Sequence, residues 1–447
     1  MKTYRAQVVV AGGGPVGISS AIAAARNGAE VLLVEQYGCL GGMSTVGGVA
    51  PWMTFHAKDG KQTILGIGEE IVQRLINMGA SQGHVSDTAG ETATITPFDV
   101  EALKAVLADM VTEAGVRVLY HTFIYGVDRA NDRIMAVKAA NKDGEIRIEG
   151  DFFIDGTGDA DLAAYSGCQF EKGENNDGKV QPATMNFTMA NVDFEKVRQY
   201  MVSNPKEFHF RTRFDVLEKE LPYAVSGFFS LWEKCKEEIK VDIQRDRFLF
   251  FRGYREDIAT VNTTRILGID STDAEALTKA ELIGRRQAME VARVMKKYLP
   301  GFENAYLHSV ASVIGIRESR RIMGEYILTL DDLIKGRHFE DNICIYAYTV
   351  DRHDPTGNGI HLAEVTAYGI PYRALLPKEI KNLVVAGRSI SCDVMAQSAI
   401  RTTPGCFGMG QAAGTAVAIA VKDCTQILKD IDIKKLRDTL INDGVYL

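Results

Sequence analysis

Residues 12–17 read Gly12-Gly13-Gly14-Pro15-Val16-Gly17, after a β-branched run at 8–10 and before an Ala-rich stretch, 18–26, that Gly28 stops. A second apolar run, 31–34, ends on Glu35. This order of strand, glycine turn, helix and strand constrains the chain more than any other feature. Gly12 permits the tight turn, Gly14 lets the backbone approach a pyrophosphate, and Gly17 lets helix pack on strand. The helix N-terminus adds N–H groups and positive dipole for the anion. Glu35 is positioned to accept hydrogen bonds from the adenosine ribose, and its charge disfavours a 2′-phosphate. The unit is predicted to bind a dinucleotide, with Pro15 and Val16 in the loop that cradles it.

The remaining composition narrows the class. At 447 residues the chain has room for two or three folding units, at about 150 residues each. Charge is 51 Lys+Arg against 58 Asp+Glu, a net −7 with no long basic run, so nucleic acid is not an expected partner. Seven scattered cysteines form no C-x-x-C pair, which argues against a structural zinc, an iron–sulfur cluster or a dithiol redox pair. No metal site is expected, and such cysteine usage suits reduced thiols in a cytoplasm. The first ten residues enter a strand pattern directly, without the apolar core of a secretory signal. Residues 402–421 carry no charge, but their Gly, Thr and Gln content suits a buried helix and not a membrane span.

Along the chain, helices are predicted near 69–78 and 100–113, the second capped by Asp99, and strands near 116–121, 134–139 and 146–153, with a hairpin turn at Lys142-Asp-Gly-Glu. Residues 185–350 are richer in aromatics and charges and hold no glycine fingerprint. Near Ile370 the compact pattern returns: a strand at 382–386, Gly387, and a long Ala-rich helix. The predicted fold class is α/β, a discontinuous Rossmann-type domain (1–180 and 365–447) with an inserted α+β substrate or cap domain (181–364).

Three later segments choose between cofactors. Gln36 leads into Gly41-Gly42-Met43-Ser44-Thr45, glycines and hydroxyls suited to a cofactor running on past the pyrophosphate. The strand at 152–155 opens into Gly156-Thr157-Gly158-Asp-Ala-Asp161, a second glycine turn without its own fingerprint helix. Residues 383–389 end in Gly387-Arg388-Ser389, and Gly408, Gly410 and Gln411 follow on the Ala-rich helix. A glycine turn before such a helix suits a ribityl chain, and the helix N-terminus suits the flavin N1–C2=O edge. Phe123 is assigned to the same cofactor set. Together with Ile316-Arg-Glu-Ser-Arg-Arg321, these motifs resemble the FAD-dependent oxidoreductase family, over nearly the whole chain. More narrowly, they resemble the branch that includes the flavin subunit of heterodisulfide reductases, although this chain lacks that subunit's cysteine clusters. The resemblance implies FAD and leaves the substrate open.

The residues then sort the flavin chemistries. A disulfide reductase would need a C-x-x-x-x-C and a second fingerprint, both missing, and Asp155-Gly-Thr-Gly and Ala386-Gly-Arg stand where an aromatic hydroxylase carries other motifs. Direct hydride transfer between flavin N5 and an organic substrate remains, as dehydrogenase or reductase, with a separate unidentified electron acceptor or donor. The alternatives are C=C reduction or desaturation, an electron-transfer subunit, and, last, a monooxygenase. Arg317 and Arg321, on one face if this segment is a strand, are candidates to hold an anionic small molecule, with Arg320 on the other face. An intradomain ion-pair network with Glu318 is the competing reading. His353, in a loop-like Gly/Pro/Asn-rich stretch, is the candidate for proton transfer, with His361 beside it. Tyr372 and Arg373, on the returning strand, are candidates to line the same cavity. Self-association is left open.

Overall fold

The computed structural model describes residues 2–447. Strand β1 (Lys2–Ala11) passes through the glycine turn into α1 (Pro15–Arg26), which returns the chain to β2 (Val31–Val34). β2 lies parallel to β1, Val8 opposite Val31 and Ala11 opposite Val34. β3 (Arg117–Leu119) adds in parallel to β2, and β4 (Gly144–Asp155) in parallel to the other edge of β1. β5 (Leu383–Val385), from the far end of the chain, pairs in parallel with the last three residues of β4. The fold is therefore mixed α/β around a parallel sheet, in the order β3-β2-β1-β4-β5. The first half of β4 pairs instead with Arg133–Asn141 in an antiparallel meander that turns where Lys142-Asp143 was expected to.

Alternation along β1 divides the packing. Val8 and Val10 face a helical layer, while Val9 and Ala11 face the meander, as period-two geometry requires. The helical layer is centred on α1 and α2 (Thr403–Lys422). By length and composition α2 could cross a membrane, but 94% of its apolar window is buried inside the protein. It meets α1 through glycines. A Cβ on Gly410 would stand 2.9 Å from the Val16 Cα, and one on Gly414 2.8 Å from the Ser20 Cα.

A second core lies over the C-terminal ends of these strands. Its five-stranded sheet is antiparallel, in the order Ala224–Gly227, Phe248–Arg252, Ala259–Val261, Phe187–Ala190, Tyr306–Val310. The long helix Ala274–Tyr298 closes it, burying Ala280, Ala288, Val291 and Met295. This core runs from Ala183 to Ile314, whereas Leu328, Ile343, Tyr346 and Tyr368 pack into the first core. The apolar division thus falls near residue 316 and not at 364, because Asn342–Tyr346 is buried against α2 at Gly405 and Gly408. Residues 316–320 form no strand; only Arg321–Ile322 pair, with Phe170–Glu171.

Candidate active site

One cavity of about 650 Å³ runs between the two cores, from the glycine turn to the antiparallel sheet. Gly12, Gly14, Pro15 and Val16 form its floor at one end. A Cβ on Gly14 would meet nothing within 4 Å, so the backbone there faces open space, as a close phosphate approach requires. A Cβ on Gly17, by contrast, would collide with the Gly12 carbonyl, so only glycine lets the helix seat on the turn.

Glu35 is buried beside this floor. Gly13 N–H donates to its Oε2 at 2.6 Å and Tyr37 N–H to its Oε1 at 2.8 Å. Burial pushes the carboxyl up, and these N–H groups pull it back. With Gln36 it lines the cavity. Gly42 and Met43 also line the cavity, whereas Gly41, Ser44 and Thr45 lie behind them: Gly41 N–H donates to the Gly13 carbonyl, Thr45 hydroxyl to the Leu40 carbonyl, and Trp52 Nε1 to the Ser44 hydroxyl. Opposite, Thr157, Gly158, Asp161 and Phe123 line the wall. Arg388 pins this turn, donating to the Gly158 and Ile316 carbonyls at 2.7 Å each and pairing with Asp159 at 2.9 Å. Thr402 and Thr403, at the start of α2, close the floor. An open glycine cradle, a buried acid and a helix N-terminus on one continuous cavity fit an extended dinucleotide.

The inner end is rich in guanidiniums. Arg245, Arg247, Arg317 and Arg401 line it, with Asp351, Glu91 and Tyr348. Arg247 pairs with Asp246, and Arg401 reaches Asp351 at 3.6 Å. Arg245 and Arg317 have no carboxylate partner among the described residues. Arg245 donates to the carbonyls of Thr263 and Asn262, and Arg317 to the Pro182 carbonyl (2.8 Å) and the Thr184 hydroxyl (2.6 Å). Burial, with Arg401 and Arg245 nearby, pushes Arg317 well below the usual arginine range. A chamber that crowds buried cations in this way is stabilised by an anion.

His353 lines the cavity, but its ring is committed. Arg265 Nη1 donates to Nδ1 at 2.8 Å, so the proton sits on Nε2, which faces Asp351 Oδ1 at 3.4 Å. Burial drives its pKa down to about 3, with Asp351 opposing the fall and Arg317 adding to it. A neutral ring with both nitrogens engaged neither takes nor gives a substrate proton. Its part is to hold Asp351, to which Tyr348 also donates at 3.2 Å. Burial pushes Asp351 up, and the facing His353 N–H, with Arg401 and Arg317 beyond it, holds it below the ordinary carboxylate range.

Other expected residues stand elsewhere. Arg321 is fully buried in an ion pair with Glu318 (2.9 Å) and donates to the carbonyls of Gly173 and Cys392, the network role and not a substrate role. Arg320 pairs with Asp161 at the cofactor end. His361 is exposed on the hairpin strand Ile360–Ala363, which pairs with Val350–His353 where a loop was expected. Tyr372 is buried with its hydroxyl on the Leu428 carbonyl, and Arg373 is held by Asp341. Gly387 has φ +82°, and a Cβ there would stand 2.7 Å from Val16 Cγ2. Gly408 packs on Cys344, Gly410 on α1, and Gln411 accepts from Ile67 N–H, so these three are packing residues and not part of the cavity wall. Sequence reasoning missed Arg245, Arg401 and Glu91. Arg401, a lone charge ending the apolar run of Val394–Ile400, carried a usable signal; the other two did not.

Residues 7–440 match the family model described as FAD dependent oxidoreductase. No curated protein matches the chain. Among solved structures it is similar to a geranylgeranyl bacteriochlorophyll reductase-like protein from Thermoplasma acidophilum, at 12% identity and TM-score 0.50, over 99% of this chain and 84% of that one. It is also similar to p-nitrophenol 4-monooxygenase from Pseudomonas putida DLL-E4, at 11% identity and TM-score 0.46, over 98% and 84%. A myxobacterial chondrochloren halogenase matches at 11% identity and TM-score 0.47, over 98% and 78%. At 12% identity the likeness to the first of these is one of fold.

Proposed function

The chain belongs to the FAD-dependent oxidoreductase family and binds FAD, and from that premise we propose that it exchanges a hydride with a small anionic organic substrate, as a dehydrogenase or reductase. The proposal reads the parallel sheet as a discontinuous Rossmann-type FAD domain and the antiparallel unit as its cap. The Gly12–Gly17 loop and the α1 N-terminus would hold the pyrophosphate, Glu35 the ribose, and the segments around Gly42 and Thr402 the rest of the cofactor. Bound FAD supplies an acceptor or donor of two electrons. The protein's own share is to bind, orient and exclude water.

One observation carries the substrate class: buried Arg245 and half-buried Arg317 stand on the cavity wall with no carboxylate to neutralise them. A substrate carboxylate completes their hydrogen bonding through forked donors. The apolar walls of Trp52, Met53, Leu249 and Phe251 leave room for a short carbon skeleton. Anaerobic addition of hydroxy acids, unsaturated acids and amines, with the flavin visible band as readout, tests this reading. Acids should bleach or, after reduction, restore the band. Arg317→Lys, which removes the fork, should raise the substrate KM by about 10-fold or more. Bleaching by neutral amines in preference to acids would overturn the assignment.

A further inference from the structure

We propose that Glu91 is the residue that takes the substrate's proton in oxidation and returns it in reduction, a reading that rests on the anionic-substrate function above. Glu91 lines the same inner chamber as Arg245 and Arg317. Its carboxyl makes no hydrogen bond and no ion pair within the described residues, although four arginines share the chamber. Each of those arginines is held by another group.

The side chain is presented by a rigid turn. Buried Asp87 cinches residues 87–92, accepting from the N–H groups of Ala89, Glu91 and Thr92 and from the Thr92 hydroxyl. The turn is fixed to the antiparallel sheet as well: the Thr88 hydroxyl donates to the Ala224 carbonyl at 2.7 Å, and Arg213 N–H donates to the Thr88 carbonyl. Glu91 is therefore held in place by its own turn and by the antiparallel sheet, as a proton-transfer group must be.

The charged groups that face it are Asp351 and Asp87, and Arg247 and Arg211. Burial, then Asp351 and Asp87, raise its pKa to about 8 against the two arginines. Both protonation states are thus populated near neutrality, where proton transfer in either direction is most efficient. His353, neutral with both nitrogens engaged, does not compete. In oxidation a substrate C–H bond breaks with its electron pair leaving as hydride to the bound FAD. The adjacent O–H, N–H or C–H bond gives its proton to the Glu91 carboxylate, so two electrons and two hydrogens leave the substrate. Reduction is the reverse.

The test uses the FAD-loaded protein and acetate as an unreactive probe anion. An anion beside Glu91 favours its protonated form, so acetate binding at about pH 8 should take up a fraction of a proton, measured calorimetrically in two buffers of different ionisation enthalpy. Glu91→Gln should bind acetate with no proton uptake. With whichever acid bleaches the wild type, Glu91→Gln should lose about 100-fold or more in flavin reduction rate, and Glu91→Asp should recover part of it. Acetate binding with equal proton uptake in wild type and Glu91→Gln, or unchanged turnover in Glu91→Gln, would overturn the assignment while leaving the substrate class standing. Failure of both proteins to bind acetate would overturn the substrate class, and this proposal with it.

Discussion

The same substitution at two glycines should have separable effects, one on stability and the other on cofactor affinity. Gly414 lies in the middle of α2, where glycine-to-alanine normally gains about 1 kcal/mol of helix propensity. Here a Cβ would stand 2.8 Å from both the Ser20 Cα and its carbonyl carbon, and closer still to the oxygen. Carbon atoms rest about 3.5–4.0 Å apart, so α1 and α2 would have to part by about 1 Å. Overpacking of that kind costs about 1–3 kcal/mol or more, which outweighs the propensity gain and makes Gly414→Ala net destabilising. Gly14 is the N-cap of α1 with nothing within 4 Å of its missing Cβ. Gly14→Ala loses a few tenths to about 1 kcal/mol of capping and regains a similar amount of unfolded-chain entropy, so apoprotein stability should barely move. Its methyl group would, however, fill the cradle on the cavity floor. If the cost is again about 1–3 kcal/mol, FAD affinity falls about 5- to 150-fold. Urea unfolding followed by circular dichroism, and FAD titration of the apoproteins by flavin fluorescence, read the two effects separately. A stabilised Gly414→Ala, or a Gly14→Ala that holds FAD as tightly as the parent, would refute the respective argument.

Two further substitutions address the expected substrate residues. Because His353 stays neutral in the fold to about pH 3 while an unfolded histidine binds a proton below about 6.5, stability should fall as pH drops from 6.5 towards 5, by up to about 1.4 kcal/mol per unit. His353→Gln should flatten that slope in urea midpoints at pH 7, 6 and 5; an unchanged slope would mean the imidazole is not held neutral. Tyr372→Phe should cost about 1 kcal/mol of stability through the lost bond to the Leu428 carbonyl and leave kcat and KM as they were. A changed KM would return Tyr372 to the cavity.

What was legible in the sequence was local. The glycine turn, Glu35 and the Asp99 cap are read from neighbours within a few residues, and each took the expected place, Asp99 accepting from Ala102 N–H at 2.8 Å. Glycine itself is ambiguous. The same residue that lets a phosphate approach at Gly14 lets another helix approach at Gly410, and spacing does not separate the two. Arg317 and Arg321 were paired by assuming strand alternation, and an irregular backbone sends one to the cavity and the other into an ion pair. Arg245, Arg401 and Glu91 meet only because sheet, helix and turn converge from distant parts of the chain, which no local pattern encodes.

β5 and α2 complete the sheet and bury α1, yet both lie more than 350 residues after it in the sequence, from Leu383 onward against Arg26. During synthesis the ribosome thus releases β1, the glycine turn and Glu35 long before the partners that seal them exist. The nascent N-terminal portion must wait, with its apolar helix face uncovered, until Thr403–Lys422 has been made. Cofactor capture is for that reason a late event, and a stop codon anywhere before residue 422 should yield a product that chaperones retain and proteases clear.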